Sequence, residues 1–337
     1  MTSTRYKHAL APVRVGGLDL RNRVFVPAHT TNYGRDHLPS DRHLAYHRAR
    51  ARGGAGLVIF ESIRVQRNTV GRPQGVAGYD PRCIEPFSRI ARAVQAEGAR
   101  IFGQIIHLGR QIEGEWERTA SWGPSAVRWS PTAQLPHAMT RAEMDAVIEG
   151  HVVSARHLRA AGFDGVEVTA GHGHLLQQFL SPASNRREDA YGGTLENRLR
   201  FPLETIAAVR AELGPDMPMG IRISAEEYLE GGLTLADMTR IVVAMADATR
   251  LDFVNVSHSA YHASYSLATQ MADMNVDAAP FRALPAAIRA ALRAAGHAMP
   301  VFAVCKFRTL AEAEATLAAG DADLVGMARA HLADPDI

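Results

Sequence analysis

Histidine side chains are concentrated at the ends of short apolar runs in this sequence. The imidazoles in these positions are His29, His107, His172, His174 and His258. An imidazole can exchange a proton near neutral pH or bind a metal ion. The group therefore indicates a site for acid–base chemistry or for a metal.

A metal centre is the first possibility. His172 and His174 have the spacing of a ligand pair, and barrel hydrolases bind zinc through histidines at strand ends. Such sites usually include a carboxylate, and Glu61 is the only one that the ends of the runs supply. Arg222 and Lys306 would repel a divalent cation. We therefore expect no metal, and a metal-dependent barrel hydrolase stays as the alternative from another class.

The cations indicate an anionic ligand instead. Lys306 and Arg329 lie at the ends of the last two runs, where α/β barrels commonly bind a phosphate. Arg222 lies in the fifth run, apart from that pair. Two separate cationic centres suit a phosphorylated cofactor with a second site of negative charge. Salt bridges at the rim are the alternative explanation.

These residues need a framework that brings the ends of the runs together. The apolar runs cover residues 23–29, 56–62, 100–107, 165–170, 217–224, 253–258, 300–305 and 324–329. Runs of this length suit parallel strands buried on both faces, and helical patterns separate them. A doubly wound sheet would carry a glycine-rich phosphate loop after its first strand, which Pro27–Thr31 lacks. The pattern predicts a (β/α)8 TIM barrel, an α/β fold, as a single domain over residues 1–337.

Caps and glycines mark the helix boundaries. Thr140, Thr234 and Thr309 each precede an acidic residue by three positions, the pattern of a capping box. Glycines that suit a left-handed C-terminal residue follow four predicted helices, at Gly98, Gly162, Gly214 and Gly296. Few residues follow the eighth run, so we expect the eighth helix to be cut short and the protein to continue.

The long connection after the third run contains all three tryptophans. Trp116, Trp122 and Trp129 lie within residues 108–139. Connections of this length in a compact domain are usually lids or binding loops. Packing of the loop onto the barrel is an equally good explanation.

Composition excludes several classes of function. The 337 residues carry a formal charge of +2 and are 47% hydrophobic, which disfavours nucleic-acid binding and disorder. The two cysteines, Cys83 and Cys305, form no pair typical of a disulfide framework or a zinc site. No secretory signal and no membrane-length apolar run is visible. We expect a cytoplasmic protein with a small-molecule substrate and no nucleic-acid or membrane partner, and we leave a homo-oligomer open.

Three segments resemble the Old Yellow Enzyme family of FMN oxidoreductases. They are Gly171–Phe201, Gln104–Arg110 and Gly220–Ser224, and the resemblance extends from Leu20 to Pro335. The most similar branches are the 2,4-dienoyl-CoA reductases and the trimethylamine-dehydrogenase-like demethylases. In those branches an iron–sulfur motif and a nucleotide-binding domain follow the barrel. The resemblance thus implies a 4Fe-4S cluster whose ligands lie outside this chain.

The resemblance also implies FMN in the mouth of the barrel. It assigns Arg222 to the flavin N1 and C2 carbonyl, where negative charge develops on reduction, and Gln104 to the pyrimidine edge. No cysteine lies near His29 or Thr30, so we expect the FMN to be non-covalent. The full set of expected cofactor-binding residues is Pro27, Ala28, His29, Glu61, Gln104, Arg222, Lys306, Ala328 and Arg329.

The expected catalytic residues depart from the family pattern. Family ene-reductases hold the substrate carbonyl with a histidine pair or a histidine–asparagine pair, and here Thr169 and His172 stand in those positions. His174 replaces the proton-donating tyrosine. His258 and His262 lie near the position of a dienoyl-CoA reductase histidine.

These departures leave the reaction open. The expected function is NAD(P)H-linked reduction of an activated C=C bond by an FMN-dependent, ene-reductase-like enzyme, with His172 or His174 protonating or polarising the substrate. Oxidative demethylation of an N-methylated amine or betaine is the alternative in the same fold. A flavin-free module that only binds a partner is the third possibility.

Overall fold

Eight parallel strands close into a barrel in the computed structural model, which describes residues 4–112, 119–262, 264–277, 279–304 and 306–337. The strands are β1 (Val24–Val26), β2 (Leu57–Arg64), β3 (Arg100–Ile106), β4 (Gly165–Ala170), β5 (Met219–Ser224), β6 (Phe253–Ser257), β7 (Val301–Ala303) and β8 (Leu324–Gly326). They pair in chain order, and β1 pairs with both β2 and β8. The predicted (β/α)8 barrel is confirmed, although β2 continues past its predicted end at Ser62.

Helices connect these strands on the outside of the barrel. They are α1 (Asp41–Arg52), α2 (Ile84–Ala96), α3 (Arg141–Ala160), α4 (Leu175–Leu180), α5 (Leu195–Leu213), α6 (Leu235–Ala248), α7 (Tyr265–Gln270), α8 (Ala279–Ala294), α9 (Leu310–Ala319) and α10 (Ala328–Ala333). Single 3₁₀ turns cover Thr4–Tyr6, Arg67–Thr69, Pro81–Cys83 and Gly109–Gln111. Within the described residues, no helix is both long and apolar enough to cross a membrane.

Most of the predicted helix boundaries are confirmed. Thr140 and Thr234 form complete capping boxes at α3 and α6. Thr309 caps α9, but the carboxylate of Glu312 accepts from the backbone N–H of Arg308 instead of Thr309. That box was therefore only half right, because the acid reaches one residue further back. The four predicted terminal glycines all have positive φ angles.

Two features of the barrel were not predicted from the sequence. A hairpin of Val13–Val15 and Leu18–Leu20 precedes β1, and its residues Val15 and Leu20 pack into the bottom of the barrel. Beyond them lies a layer of phenylalanine rings, of which Phe253 and Phe302 stack with centroids 4.7 Å apart. Gly220 makes room for this layer, because a Cβ there would lie 2.5 Å from the ring of Phe253. The floor of the barrel is thus filled and apolar.

Candidate active site

A cavity of about 940 Å³ opens above this floor, at the carboxyl ends of the strands. Its size lies within the range of small-molecule and cofactor sites. The predicted site residues that line it are Pro27, Ala28, His29, Gln104, His172, His174, Arg222, His258, Lys306, Ala328 and Arg329. The barrel therefore brings most of the predicted residues to one mouth.

Three predicted site residues do not reach the cavity surface. Thr169 is buried beside Arg222 in the strand register, and His262 lies in the loop after β6, outside the lining. Glu61 is buried in the wall, where its carboxylate accepts from the backbone N–H of Thr31 at 2.7 Å. The structure therefore does not place these three in the lining, and their predicted roles stay predictions.

A β-bulge explains the position of Glu61. The pairing of β2 with β3 shifts register between Phe60 and Ile63, so one extra residue enters β2. A residue inserted in this way reverses which side chains face inwards. Ser62 and Arg64 consequently line the cavity, whereas regular alternation from Ile59 would have pointed Glu61 there.

His107 is also displaced from the mouth. Its Nε2 lies 3.1 Å from Oδ1 of Asn68, and its ring stacks on Trp122. Trp122 thus packs the long connection onto the barrel, whereas Trp129 lines the cavity. The packing explanation is confirmed for Trp122, and the binding-loop explanation stays a prediction that the position of Trp129 supports. Trp116 and Cys305 lie outside the described residues.

A polar layer separates the apolar floor from the cavity. Glu167 lies at its centre and is fully buried. Its carboxylate accepts from Nε2 of Gln104 and from Nδ2 of Asn255, both at 2.7 Å. Arg222 belongs to the same layer and donates to the backbone carbonyl of Ala28 at 3.1 Å. Burial raises the pKa of Glu167, while the nearby Arg222 charge and the two amide donors act in the opposite direction.

This layer fixes the orientation of the Gln104 amide. Because a carboxylate only accepts hydrogen bonds, the amide NH2 group must face Glu167. The carbonyl oxygen of Gln104 is then available as an acceptor towards the cavity. With Arg222, the layer offers one acceptor and one buried cation. Glu167 was not predicted as a site residue, because a single acidic residue inside an apolar run carries no signal of its role in the sequence.

His29 is held as a neutral imidazole. Its Nδ1 donates to the carbonyl of Pro27 at 2.7 Å, which leaves Nε2 to accept from the hydroxyl of Tyr46 at 2.5 Å. Burial is the main cause that lowers the pKa of His29. Both nitrogens are thereby occupied within the protein. Tyr46 was not predicted as part of the site, and the repeated aromatic and histidine residues of α1 were its only signal.

His172 and His174 face the cavity from the loop after β4. Nε2 of His172 lies 2.7 Å from the hydroxyl of Ser257, and the two rings meet edge to face with centroids 6.0 Å apart. Burial lowers the pKa of His174 to about 3 and that of His172 well below its usual value, and Arg222 adds to both shifts. Both imidazoles are therefore uncharged at neutral pH.

His258 completes the group and directly follows Ser257, the hydroxyl partner of His172. Its ring stacks on Phe281 with centroids 4.0 Å apart, and its Nδ1 lies 2.9 Å from the hydroxyl of Ser259. Burial and then Arg222 lower the pKa of His258 to about 4. A mouth lined by neutral imidazoles can donate and accept hydrogen bonds, but it holds no strong acid at neutral pH.

Lys306 and Arg329 lie together at the β7–β8 side of the mouth. Nζ of Lys306 donates to the backbone carbonyls of Asp273 and Val276. Arg329 donates to the carbonyl of Ala272 at 2.7 Å. Among the described residues, salt bridges at the rim do not account for these two cations, whose partners are main-chain carbonyls. Within the described residues, no group of three or more potential ligands is placed to hold a metal ion.

Known proteins resemble this chain along its whole length. N,N-dimethylglycine/sarcosine dehydrogenase of Chromohalobacter salexigens is 35% identical over 97% of this chain and 47% of its own length. A multifunctional alkene reductase/demethylase of Caballeronia cordobensis is 32% identical over 100% of this chain and 49% of its own length. The chain thus spans about half the length of these relatives.

A solved structure gives the same result for the fold. A 2-naphthoyl-CoA reductase bound to 2-naphthoyl-CoA superposes with a TM-score of 0.91 and 27% identity, covering 98% of this chain and 51% of the reductase. The similarity to the Old Yellow Enzyme group is confirmed.

The model of a family whose members use FMN and NAD(P)H matches residues 9–337. The polar layer fits FMN, because a buried guanidinium and a free amide carbonyl suit the acceptor and donor positions of a flavin pyrimidine ring. The members of this family are oxidoreductases. The chain belongs to the NADH:flavin oxidoreductase / NADH oxidase family.

Proposed function

We propose that this barrel binds FMN non-covalently in the cavity and exchanges hydride with a small organic substrate at the His172–His174 wall. The observation that carries the proposal is the polar layer of Gln104, Glu167 and Arg222. The carbonyl oxygen of Gln104 would accept a hydrogen bond from flavin N3–H, and Arg222 would hold N1 and the C2 carbonyl. Lys306, Ala328 and Arg329 would hold the phosphate.

When bound, FMN supplies the hydride donor and acceptor. The protein residues bind and polarise the substrate. Neutral His172 and His174 can each present an N–H group to a substrate carbonyl, as electrophilic neutral imidazoles do in other barrels. Their lowered pKa values make them poor proton donors at neutral pH, so we infer that the product proton comes from water.

Reduction of an activated C=C bond is the proposed direction, since two N–H donors on one wall suit an enone or enoyl carbonyl. The similar solved structure is named 2-naphthoyl-CoA reductase, which supports this direction. Oxidative N-demethylation is the second candidate. The dehydrogenase relative supports it, and uncharged imidazoles can accept a hydrogen bond from a substrate ammonium group.

The first test is flavin content. The absorption spectrum of the purified protein, with the released flavin identified after denaturation, should show FMN. Arg222→Ala should weaken FMN binding roughly ten- to a hundredfold, because it removes a charge-assisted hydrogen bond. Arg240→Ala is the matched control, since Arg240 is exposed on α6 and pairs only with Asp237 among the described residues. Equal FMN affinity in both variants would contradict the proposed site.

The second test is the direction of the reaction. Anaerobic protein with NADH and 2-cyclohexenone should consume the enone if reduction is correct. In a separate assay without NADH, the oxidised flavin is the hydride acceptor for N,N-dimethylglycine. Formaldehyde release in that assay, together with no enone consumption in the first, would replace reduction by demethylation.

A further inference from the structure

One buried arginine in the cavity wall differs from the others. The side chains of Arg50, Arg64, Arg110 and Arg222 are the buried arginines of the described residues. Arg50, Arg110 and Arg222 each donate to at least one main-chain carbonyl. Arg64 makes no such contact. Its Nε and Nη1 atoms are buried, and they have no hydrogen-bond partner among the described residues.

A buried cation of this kind is costly for the folded protein. Arg64 is 8% exposed, and burial lowers its pKa to about 10, so it is still charged at neutral pH. An ion that leaves water without a partner destabilises the fold unless a ligand later compensates it. The cavity is where such a ligand would come from, because Arg64 is part of its lining.

The nearest carboxylate is already bound by other groups. The charge of Glu61 acts to raise the pKa of Arg64, against the larger effect of burial. Its two oxygens, however, face the backbone N–H of Thr31 at 2.7 Å and Nε2 of His43 at 3.5 Å. Glu61 therefore acts on Arg64 through space and does not satisfy its N–H groups.

The position of Arg64 separates it from the expected phosphate site. It ends β2, whereas Lys306 and Arg329 follow β7 and β8. Its charge is the second cause of the lowered pKa of His174, so it acts on the wall assigned to the substrate. Thr30 and Ser62, whose hydroxyls lie 3.1 Å apart, belong to the same cavity lining as Arg64, and Ser62 lies two residues before it on β2.

We infer that Arg64 binds a carboxylate group of the organic substrate. This inference rests on the proposed function, because it places the anion on the substrate side of a bound flavin. A guanidinium presents a planar pair of N–H donors that matches the two oxygens of a carboxylate, and the Thr30 and Ser62 hydroxyls can add further donors. The substrate class is thus an organic acid, such as an unsaturated carboxylic acid or an N-methylated amino acid.

The test uses the FMN-loaded protein and two probes of the same shape. Benzoate and benzamide are titrated while the flavin absorption spectrum is followed. The wild type should prefer benzoate, and Arg64→Met should weaken benzoate roughly tenfold or more while benzamide binding stays the same. Arg64→Lys should lie between the two, since it keeps the charge without the planar fork. Arg72→Met is the control: Arg72 also lines the cavity but is exposed, so its loss should have a small, salt-dependent effect.

A thermal melt separates a ligand-binding from a structural role. Arg64→Met should melt at the same temperature as the wild type or higher, because it removes a buried charge without a partner. A lower melting temperature with unchanged benzoate affinity would show that Arg64 is structural and would overturn the inference. Tighter binding of phenyl phosphate than of benzoate, lost in Arg64→Met, would overturn the carboxylate class.

Two further outcomes keep this inference apart from the proposed function. If Arg64→Met weakens FMN but not riboflavin, Arg64 binds the cofactor phosphate, and the inference is wrong while the function stands. If the wild type binds no flavin, the proposed function fails. Calorimetry of benzoate and benzamide with the flavin-free protein then decides the inference alone: a preference for benzoate that Arg64→Met abolishes supports it, and no preference overturns it.

Discussion

Two buried glutamates in this protein have similar surroundings and different consequences. Glu227 and Glu167 are 2% and 0% exposed, and burial raises the pKa of both. The carboxylate of Glu227 accepts from Gln177, from Ser181 and from the backbone N–H of Leu233, all at 2.7 Å. Every one of these donors belongs to the connections that follow β4 and β5, with Gln177 in α4. The Glu227 network is therefore closed, and its role is to hold those connections together.

The Glu167 network is open on one side. Its amide partners are Gln104 and Asn255, and the charge of Arg222 acts on it. Gln104 and Arg222 also line the cavity, so the network reaches the surface that a ligand would contact. A buried carboxylate with only internal partners indicates structure, whereas one whose partners reach a cavity indicates that it orients a binding site.

Replacing Glu227 should have the largest effect on the fold. Glu227→Ala leaves three buried donors without an acceptor, and we expect the free energy of unfolding to fall by about 3–5 kcal/mol. Urea denaturation measures this loss. The fraction that folds should bind FMN with wild-type affinity. A loss below about 1 kcal/mol would show that the network is not closed, because water would then have replaced the carboxylate.

Replacing Glu167 should change the cofactor site more than the fold. In Glu167→Gln, the new amide NH2 can satisfy the Gln104 carbonyl, so the Gln104 amide is expected to rotate and present its NH2 to the cavity. FMN affinity should fall roughly tenfold, as for the loss of one buried hydrogen bond. Fluorescence titration measures this change.

A flavin methylated at N3 provides the control for this explanation. The wild type should bind it more weakly than FMN, because the methyl group removes the N3–H donor that Gln104 would accept. Glu167→Gln should lose that discrimination. If the variant keeps both its affinity and its discrimination, Glu167 does not orient Gln104.

The same contrast shows what could be predicted from the sequence. The eight strands were found because parallel strands buried on both faces are continuous apolar runs. The N-terminal hairpin was missed, although Val13–Leu20 alternates around Gly16 and Gly17, the usual signature of a tight turn. Its three-residue strands are too short to stand out as apolar runs.

The bulge in β2 separates the site residues that were placed correctly from those that were not. Side chains at regular strand ends, such as Gln104 and Arg222, were placed at the mouth correctly because barrel topology brings strand ends together. Glu61 was predicted at the mouth but lies in the wall, and Arg64 was not predicted at the site, both for the same reason. The register shift between Phe60 and Ile63 depends on packing against β3, and no local sequence signal marks it.

The smallest expected effect is the loss of stability at low pH, which should differ between a structural histidine and a histidine of the site. His151 is fully buried in α3, its Nδ1 donates to the carbonyl of Val147 at 2.8 Å, and burial lowers its pKa to about 4. Its ordinary pKa in the unfolded chain is about 6.5, so below that pH the unfolded state binds more protons than the folded state. Stability contributed by neutral His151 is therefore complete above about pH 6.5 and is lost progressively as the pH falls to about 4.

His151→Gln should remove this dependence without reaching the cavity. The difference in the free energy of unfolding between variant and wild type should shift in favour of the variant by about 1 kcal/mol from pH 7.5 to pH 5.5. Urea denaturation at both pH values measures this shift. Benzoate should not change that shift, because His151 does not line the cavity.

His174→Gln should also lose acid sensitivity, since the pKa of His174 is lowered to about 3. There, however, bound benzoate should reduce the difference from the wild type, because an anion in the cavity stabilises the charged imidazole. If benzoate changes the stability difference from the wild type equally in both variants, His174 is as isolated from a ligand in the cavity as His151.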